Sequence, residues 1–202
     1  MSNKAQTDNR KLILASSSAY RQGLLARVTT EFECISPNID ESQRDNEQAQ
    51  DLAERLARGK ALTIANEHPH ATVIGSDQVA SCKSRILGKP GNHEKAAAQL
   101  MACSGGSVVF HTAVHVCNLE QSFSKSHVDT TTVRFRNLSA AEIDAYLAAE
   151  KPWDCAGSFK SEGLGIMLFE AIENKDPTAL IGLPMIWVSN CLRQAGIKIP
   201  AK

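Results

Sequence analysis

Lys11-Leu12-Ile13-Leu14-Ala15-Ser16-Ser17-Ser18-Ala19-Tyr20-Arg21-Gln22-Gly23-Leu24-Leu25-Ala26-Arg27-Val28 passes from an apolar segment through three serines into an amphipathic one. KLILA is short and apolar and predicts a first strand. The serines are N-cap residues by type, because a hydroxyl accepts one of the N–H groups that a first helical turn leaves unpaired. Leu24, Leu25 and Val28 then recur at helical spacing. A strand, a serine turn and a helix form the opening unit of an α/β sheet, and they point free backbone N–H groups at any anion bound there. Ser16, Ser18 and Arg21 are therefore either helix caps and a surface cation, or a grip on a phosphate.

Outward from this unit, Glu31 to Ser36 predicts a second strand, closed by Pro37 and the acidic turn Asn38-Ile39-Asp40-Glu41. Gln48 to Glu67 is helical, with Ala49, Ala53, Leu56 and Ile64 on one stripe and Lys60 on that same inward stripe. Thr72 to Ile74 predicts a short strand that ends at Gly75-Ser76-Asp77-Gln78, and Ile86 to Pro90 a turn. His93 to Cys103 predicts a helix, Val108 to Cys117 and Val128 to Phe135 a strand pair, and Ser139 to Glu150 a helix opened by a capping box to Glu142. Trp153 to Gly165 is a glycine-rich loop of the long kind that often carries function. Ile166 to Ile172 predicts a strand, Asp176-Pro177 a short helical segment and Pro184 to Ala195 a closing helix. The class is α/β with a mixed sheet, in one unit over 1–202 behind a polar tail, 1–10.

Lys and Arg number 22 and Asp and Glu number 22, a balance that argues against a partner held by bulk charge such as polymeric nucleic acid. The six cysteines never fall at C-x-x-C spacing, which removes the usual zinc and redox patterns. The opening MSNKAQTDNR has no apolar signal segment, so the expected compartment is the cytoplasm. The longest apolar run, Ala179 to Val188, is broken by Gly182 and Pro184, and no membrane span is expected.

No P-loop, dinucleotide fingerprint, H-E-x-x-H or G-x-S-x-G motif is present. His68, His70, His111 and His115 are read as structural. The chemistry instead rests on dispersed polar groups. Asp77 is expected at a strand's carboxyl end, where open α/β sheets place ligands; the plain alternative is a turn aspartate. Asp40 and Glu41 form another acidic turn, and a carboxylate from each turn would suit a shared divalent cation. Lys60 on its apolar stripe, Lys89 between Gly88 and Pro90, and Lys160 in the late loop are each readable as surface or snorkelling lysines. Together with Arg21 they balance a triphosphate.

These residues, in order, resemble the Maf-like nucleotide pyrophosphatases: Ala15-Ser16-x-Ser18-x-x-Arg21-x-x-Leu24-Leu25, Ile39-Asp40-Glu41, Lys60-Ala61, Gly75-Ser76-Asp77-Gln78, Gly88-Lys89-Pro90 and Cys155 to Gly163. The likeness extends from about Lys11 to Ala195. It implies an elongated mixed α/β sheet flanked by helices, with two lobes around a substrate cleft, and often a homodimer. It also implies hydrolysis between the α- and β-phosphates of a nucleoside triphosphate with a divalent cation, Mg or Mn. Asp77 maps onto the family's catalytic proton acceptor, and Glu41 with Asp77 is the expected metal pair. Ser16, Ser18, Arg21, Lys60, Lys89 and Lys160 would cradle phosphates. Tyr20, Gln78 and Glu162 resemble the subgroup acting on 7-methyl-GTP, whereas members acting on dTTP and UTP typically carry threonine and glutamine at the latter two positions. An aromatic ring at Tyr20 suits base stacking, and Glu162 suits a cationic methylated purine. Family members have also been linked to septum formation, so a non-enzymatic nucleotide-binding role in cell division is one competing expectation, and a pyrophosphatase for dTTP, UTP or other modified nucleotides is the other.

Overall fold

The computed structural model describes residues 11–200; the polar tail 1–10 lies outside the described residues. Its strands are β1 (Leu12–Ala15), β2 (Glu33–Cys34), β3 (Thr72–Cys82), β4 (Arg85–Leu87), β5 (Ser107–Asn118), β6 (Phe123–Phe135) and β7 (Phe169–Glu173). Its helices are α1 (Ala19–Leu25), α2 (Ala49–Glu67), α3 (His93–Cys103), α4 (Ala140–Glu150) and α5 (Met185–Gln194). The strands form one sheet in the order β2-β1-β3-β5-β6-β7, with β4 also pairing β3. β1 is parallel to β2 and β3, and every other pairing is antiparallel. The expected mixed α/β sheet is thus what the chain forms.

One edge of β3 is split. Thr72 to Gly75 pair with β1 and Ala80 to Cys82 pair with β4, while β5 runs along the whole opposite edge. The segment Ser76 to Val79 therefore opens between two short strands instead of lying under a continuous neighbour. Because side chains alternate across a strand, Asp77 and Gln78 leave this gap on opposite faces.

α2 covers the face that carries Val73 and Val79, packing Ala61, Ile64 and Ala65 against Ile13 and Val73, and Leu52, Leu56 and Ala57 against Val79 and Ala113. On the other face, α1 and α5 pack Leu24, Leu25, Val188 and Leu192 on Leu12, Leu14, Ile74 and Val114. Further along that face, α3 and α4 bury Leu100, Ile143 and Leu147 with Phe110, Val133 and Phe135. The two groups of helices form separate hydrophobic clusters along that face. Full burial of each such aliphatic side chain stabilises by roughly 1.5–3 kcal/mol.

Several sequence expectations are corrected. β3 runs eleven residues, through the Gly75-Ser76-Asp77-Gln78 segment expected to end it. Arg85 to Leu87 is a strand, since it pairs with the far end of β3. The second strand shrinks to two residues. Ile166 belongs to a 3-10 turn, Leu164–Leu168, that precedes β7. Asp176-Pro177 opens no helix: the Asp176 carboxylate accepts Thr178 N–H, the Thr178 hydroxyl and Ile186 N–H, so it shapes a turn and caps α5 from a distance. The capping box at Ser139 and Glu142 forms as expected.

Candidate active site

A cavity of about 660 Å³ opens at the split edge, lined by Ser16, Ser18, Tyr20, Arg21, Glu41, Lys60, Asp77, Gln78, Lys89, Lys160 and Glu162. Every residue singled out from the sequence for the site borders this one space. The structure brings them together from the β1–α1 turn, α1, the β2–α2 loop, α2, β3, the β4–α3 connection and the late loop.

Ser18 does cap α1: its Oγ accepts Arg21 N–H at 3.4 Å, and Ser16 Oγ accepts Ser18 N–H at 3.1 Å. Both also face the cavity, so the two readings of the serines are compatible. Arg21 is no solvated surface residue. Its Nε donates to Gly182 O at 2.9 Å. Burial pulls its pKa down, while Asp77 and Glu41 act in the opposite direction.

Asp77 stands in mid-strand on the α2 face, not at a strand's end; the carboxyl end that matters is that of β1, which stops beside Gly75. Lys60 Nζ lies 2.6 Å from Asp77 Oδ1 and 2.7 Å from Glu41 Oε1. Lys60 and Asp77 are buried, whereas Glu41 is exposed. The ammonium expected on phosphate is held between the two carboxylates expected on a metal. Among the described residues no cluster of three or more His, Cys, Asp or Glu could hold an ion. The two carboxylates are oxygen donors of the kind a hard divalent ion takes, and the Lys60 ammonium stands between them.

On the opposite face the Gln78 amide is fixed. Its Nε2 donates to Thr112 Oγ1 at 2.9 Å, Ala179 O at 3.0 Å and Leu180 O at 3.0 Å. Thr112 Oγ1 donates in turn to Ala179 O at 2.9 Å, and buried Ser76 Oγ bonds to Ala113 O and Gly182 O. The turn 178–182 thus braces Arg21, Ser76, Gln78 and Thr112 through its carbonyls.

The late loop is nailed down by Phe159, whose ring meets Phe110, Phe135 and Phe169 edge-on at centroid distances of 5.4, 5.6 and 4.7 Å. Each such pair contributes about 0.5–1.5 kcal/mol beyond burial. Tyr146 Oη accepts Lys160 N–H at 3.1 Å, and Glu150 accepts Leu164 N–H at 2.7 Å with Lys160 Nζ at 3.8 Å. Gly165 is required here, because a Cβ would lie 2.4 Å from Lys160 O. Lys89 and Glu162 sit exposed at the rim. Tyr20 is pushed up to about 12 by burial and by nearby Cys155 and Asp154, so its ring enters the cavity as a neutral phenol.

Sequence reasoning missed Ser76, Thr112 and the 178–182 turn. The signal for Thr112 is a hydroxyl in mid-β5, the only one in that strand after Ser107; backbone carbonyls leave none. His115 is buried against Ser126 and His70 pairs with Glu120, away from the cavity, in keeping with structural roles.

A mixed sheet split beside two carboxylates, with cations and hydroxyls around the opening, defines an α/β protein with a cavity rich in charged side chains. The chain matches the family model described as "Maf: Maf-like protein" over residues 11–195, and it belongs to that family. It is 54% identical over 190 residues to a protein of Albidiferax ferrireducens named 7-methyl-GTP pyrophosphatase, covering 94% of this chain and 96% of the relative. Proteins of the same name from Xanthomonas axonopodis pv. citri and Pseudomonas syringae pv. syringae are 53% and 50% identical, each over 94% of this chain and 99% and 98% of their own length.

Proposed function

We propose that this protein is a nucleoside triphosphate pyrophosphatase that hydrolyses the α–β phosphoanhydride of 7-methyl-GTP, giving 7-methyl-GMP and pyrophosphate and so removing a modified nucleotide. The observation that carries this reading is the Glu41–Lys60–Asp77 arrangement at a cavity also lined by Ser16, Ser18, Arg21, Lys89 and Lys160. The names of the relatives support the substrate.

Asp77 Oδ2 takes no hydrogen bond from a described residue, whereas Oδ1 is held by Lys60. That free oxygen orients the attacking water and takes its proton, with Lys60 fixing the carboxylate plane. Ser16, Ser18 and Arg21 bind phosphate oxygens near the end of β1, and Lys89 and Lys160 hold charge developing on the leaving pyrophosphate. Glu41 and Asp77 would hold a divalent cation, Mg or Mn, which when bound supplies Lewis-acid stabilisation of the phosphoryl oxygens. Tyr20, Gln78 and Glu162 meet the base. The six cysteines are all free thiols, which supports a reducing compartment such as the cytoplasm. Among the described residues no helix is long and apolar enough to cross a membrane.

The test is pyrophosphate release from 7-methyl-GTP, GTP, dTTP and UTP with magnesium or manganese, for wild type and Asp77→Ala. We expect 7-methyl-GTP to be the fastest substrate and Asp77→Ala to lose nearly all turnover with an unchanged circular dichroism spectrum. Faster turnover of dTTP or UTP overturns the substrate. Nucleotide binding without turnover under saturating metal favours a non-enzymatic role.

A further inference from the structure

Gln78 poses a question that its contacts answer. A carboxamide has a donor end and an acceptor end of nearly equal size, so its orientation must come from its neighbours. Thr112 is fully buried, and its hydroxyl has one proton, which goes to Ala179 O at 2.9 Å because a carbonyl only accepts. Toward Gln78 that hydroxyl is left as an acceptor. The other two neighbours of the amide, Ala179 O and Leu180 O, are acceptors as well. Turning the amide over would set its oxygen against two carbonyls, and Thr112 could meet it only by withdrawing its proton from Ala179 O. The Nε2 end therefore stays with the turn, and Oε1, which takes no hydrogen bond from a described residue, is the end left for a ligand in the cavity that Gln78 lines.

We propose that Thr112 is a positioning residue which, with the Ala179 and Leu180 carbonyls, locks Gln78 as a pure acceptor, so that the site selects a purine presenting N–H donors along its N1/N2 edge. This rests on the reading that a nucleotide fills the cavity. Thr112 itself touches no ligand. It acts by making the alternative orientation of Gln78 unaffordable, much as a buried site built for a donor rejects analogues that lack one.

The experiment is calorimetric binding to the full chain, at mildly acidic pH where N1 keeps its proton, using α,β-methylene 7-methyl-GTP. The inosine form of that probe, which lacks the N2 amine, is compared with it. Wild type should bind the inosine form roughly tenfold or more weakly, Thr112→Ser should keep that ratio, and Thr112→Val, which leaves only the two carbonyls to hold Nε2, should lower it several-fold. Inorganic pyrophosphate should bind all three proteins alike. Full discrimination in Thr112→Val, or none in wild type, overturns the proposal. In case Thr112→Val fails to fold, the Gln78 Nε2 protons of the ligand-free wild type provide an independent reading: they should be resolved by NMR and protected from exchange, and rapid exchange overturns the lock. Binding with donor discrimination but no pyrophosphate release removes the enzymatic reading alone. Pyrophosphate release without donor discrimination removes this inference alone.

Discussion

Gly75 of β3 lies directly against the backbone of Ala57 in α2: a Cβ at Gly75 would stand 2.3 Å from Ala57 O and 2.5 Å from Ala61 N. Lys60 sits on the helix beside this contact and Asp77 follows two residues along the strand, on the same face. The missing side chain therefore sets the separation across which Lys60 reaches Asp77. Gly75→Ala should push α2 away at a cost of about 1–3 kcal/mol or more, lowering the urea midpoint. Turnover should fall further than the loss of folded protein explains.

Lys60 and Asp77 are both buried and depend on each other. Lys60→Met strands a buried carboxylate and should cost roughly 3–5 kcal/mol at neutral pH. Lys60→Met with Asp77→Asn removes the uncompensated charge and should recover much of that loss. Urea denaturation of the four proteins in the cycle measures the coupling, and simple additivity would refute it.

The sequence announced some of this arrangement and hid the rest for physical reasons. The opening strand, the capped helices and the inward stripe of α2 follow from local periodicity and hydroxyl chemistry, and they stand nearly where expected. An early end to β3 is expected because glycine, serine, aspartate and glutamine carry turn preferences; here they are strand residues, Gly75 against α2 and Ser76 to Gln78 along the gap. Residues 85–87 have no strand signal of their own and extend only because the free edge of β3 pairs with them. The charged members of the cavity were legible as residue types, but their convergence depends on a crossover topology that no short window contains. Lys60 shows the limit: its inward position was visible, while its two carboxylate partners were not.

Metal dependence should track Glu41 separately from Asp77. Glu41 is exposed, so Glu41→Gln should leave the fold intact and shift the magnesium required for half-maximal rate to higher concentration. Chelation should abolish wild-type turnover, and added magnesium should restore it. A magnesium curve unchanged by Glu41→Gln would take Glu41 out of the metal pair.

Asp129 supplies a pH prediction. Its carboxyl is buried on β6, Oδ1 has no partner among the described residues, and burial first, then nearby Asp176, raises its pKa. In the window just above the ordinary carboxylate range the folded state keeps a proton that the unfolded chain has released. Stability therefore declines as pH rises through that window and levels off above the raised value. Asp129→Asn stays neutral throughout, so it should flatten this slope and be relatively more stable than wild type near neutrality. Thermal melts across mildly acidic to neutral pH give the comparison, and parallel curves would contradict it.

Arg21 and Ser76 both end on the carbonyl of Gly182, which lies 161 and 106 residues further along the chain, and Asp176 joins that same turn to the first turn of α5. During synthesis the amino-terminal strands and α2 leave the ribosome long before their bracing turn exists. A nascent chain that has completed β3 therefore still lacks the turn on which Arg21 and Ser76 end. The cavity's wall is thus closed by the part of the chain made last.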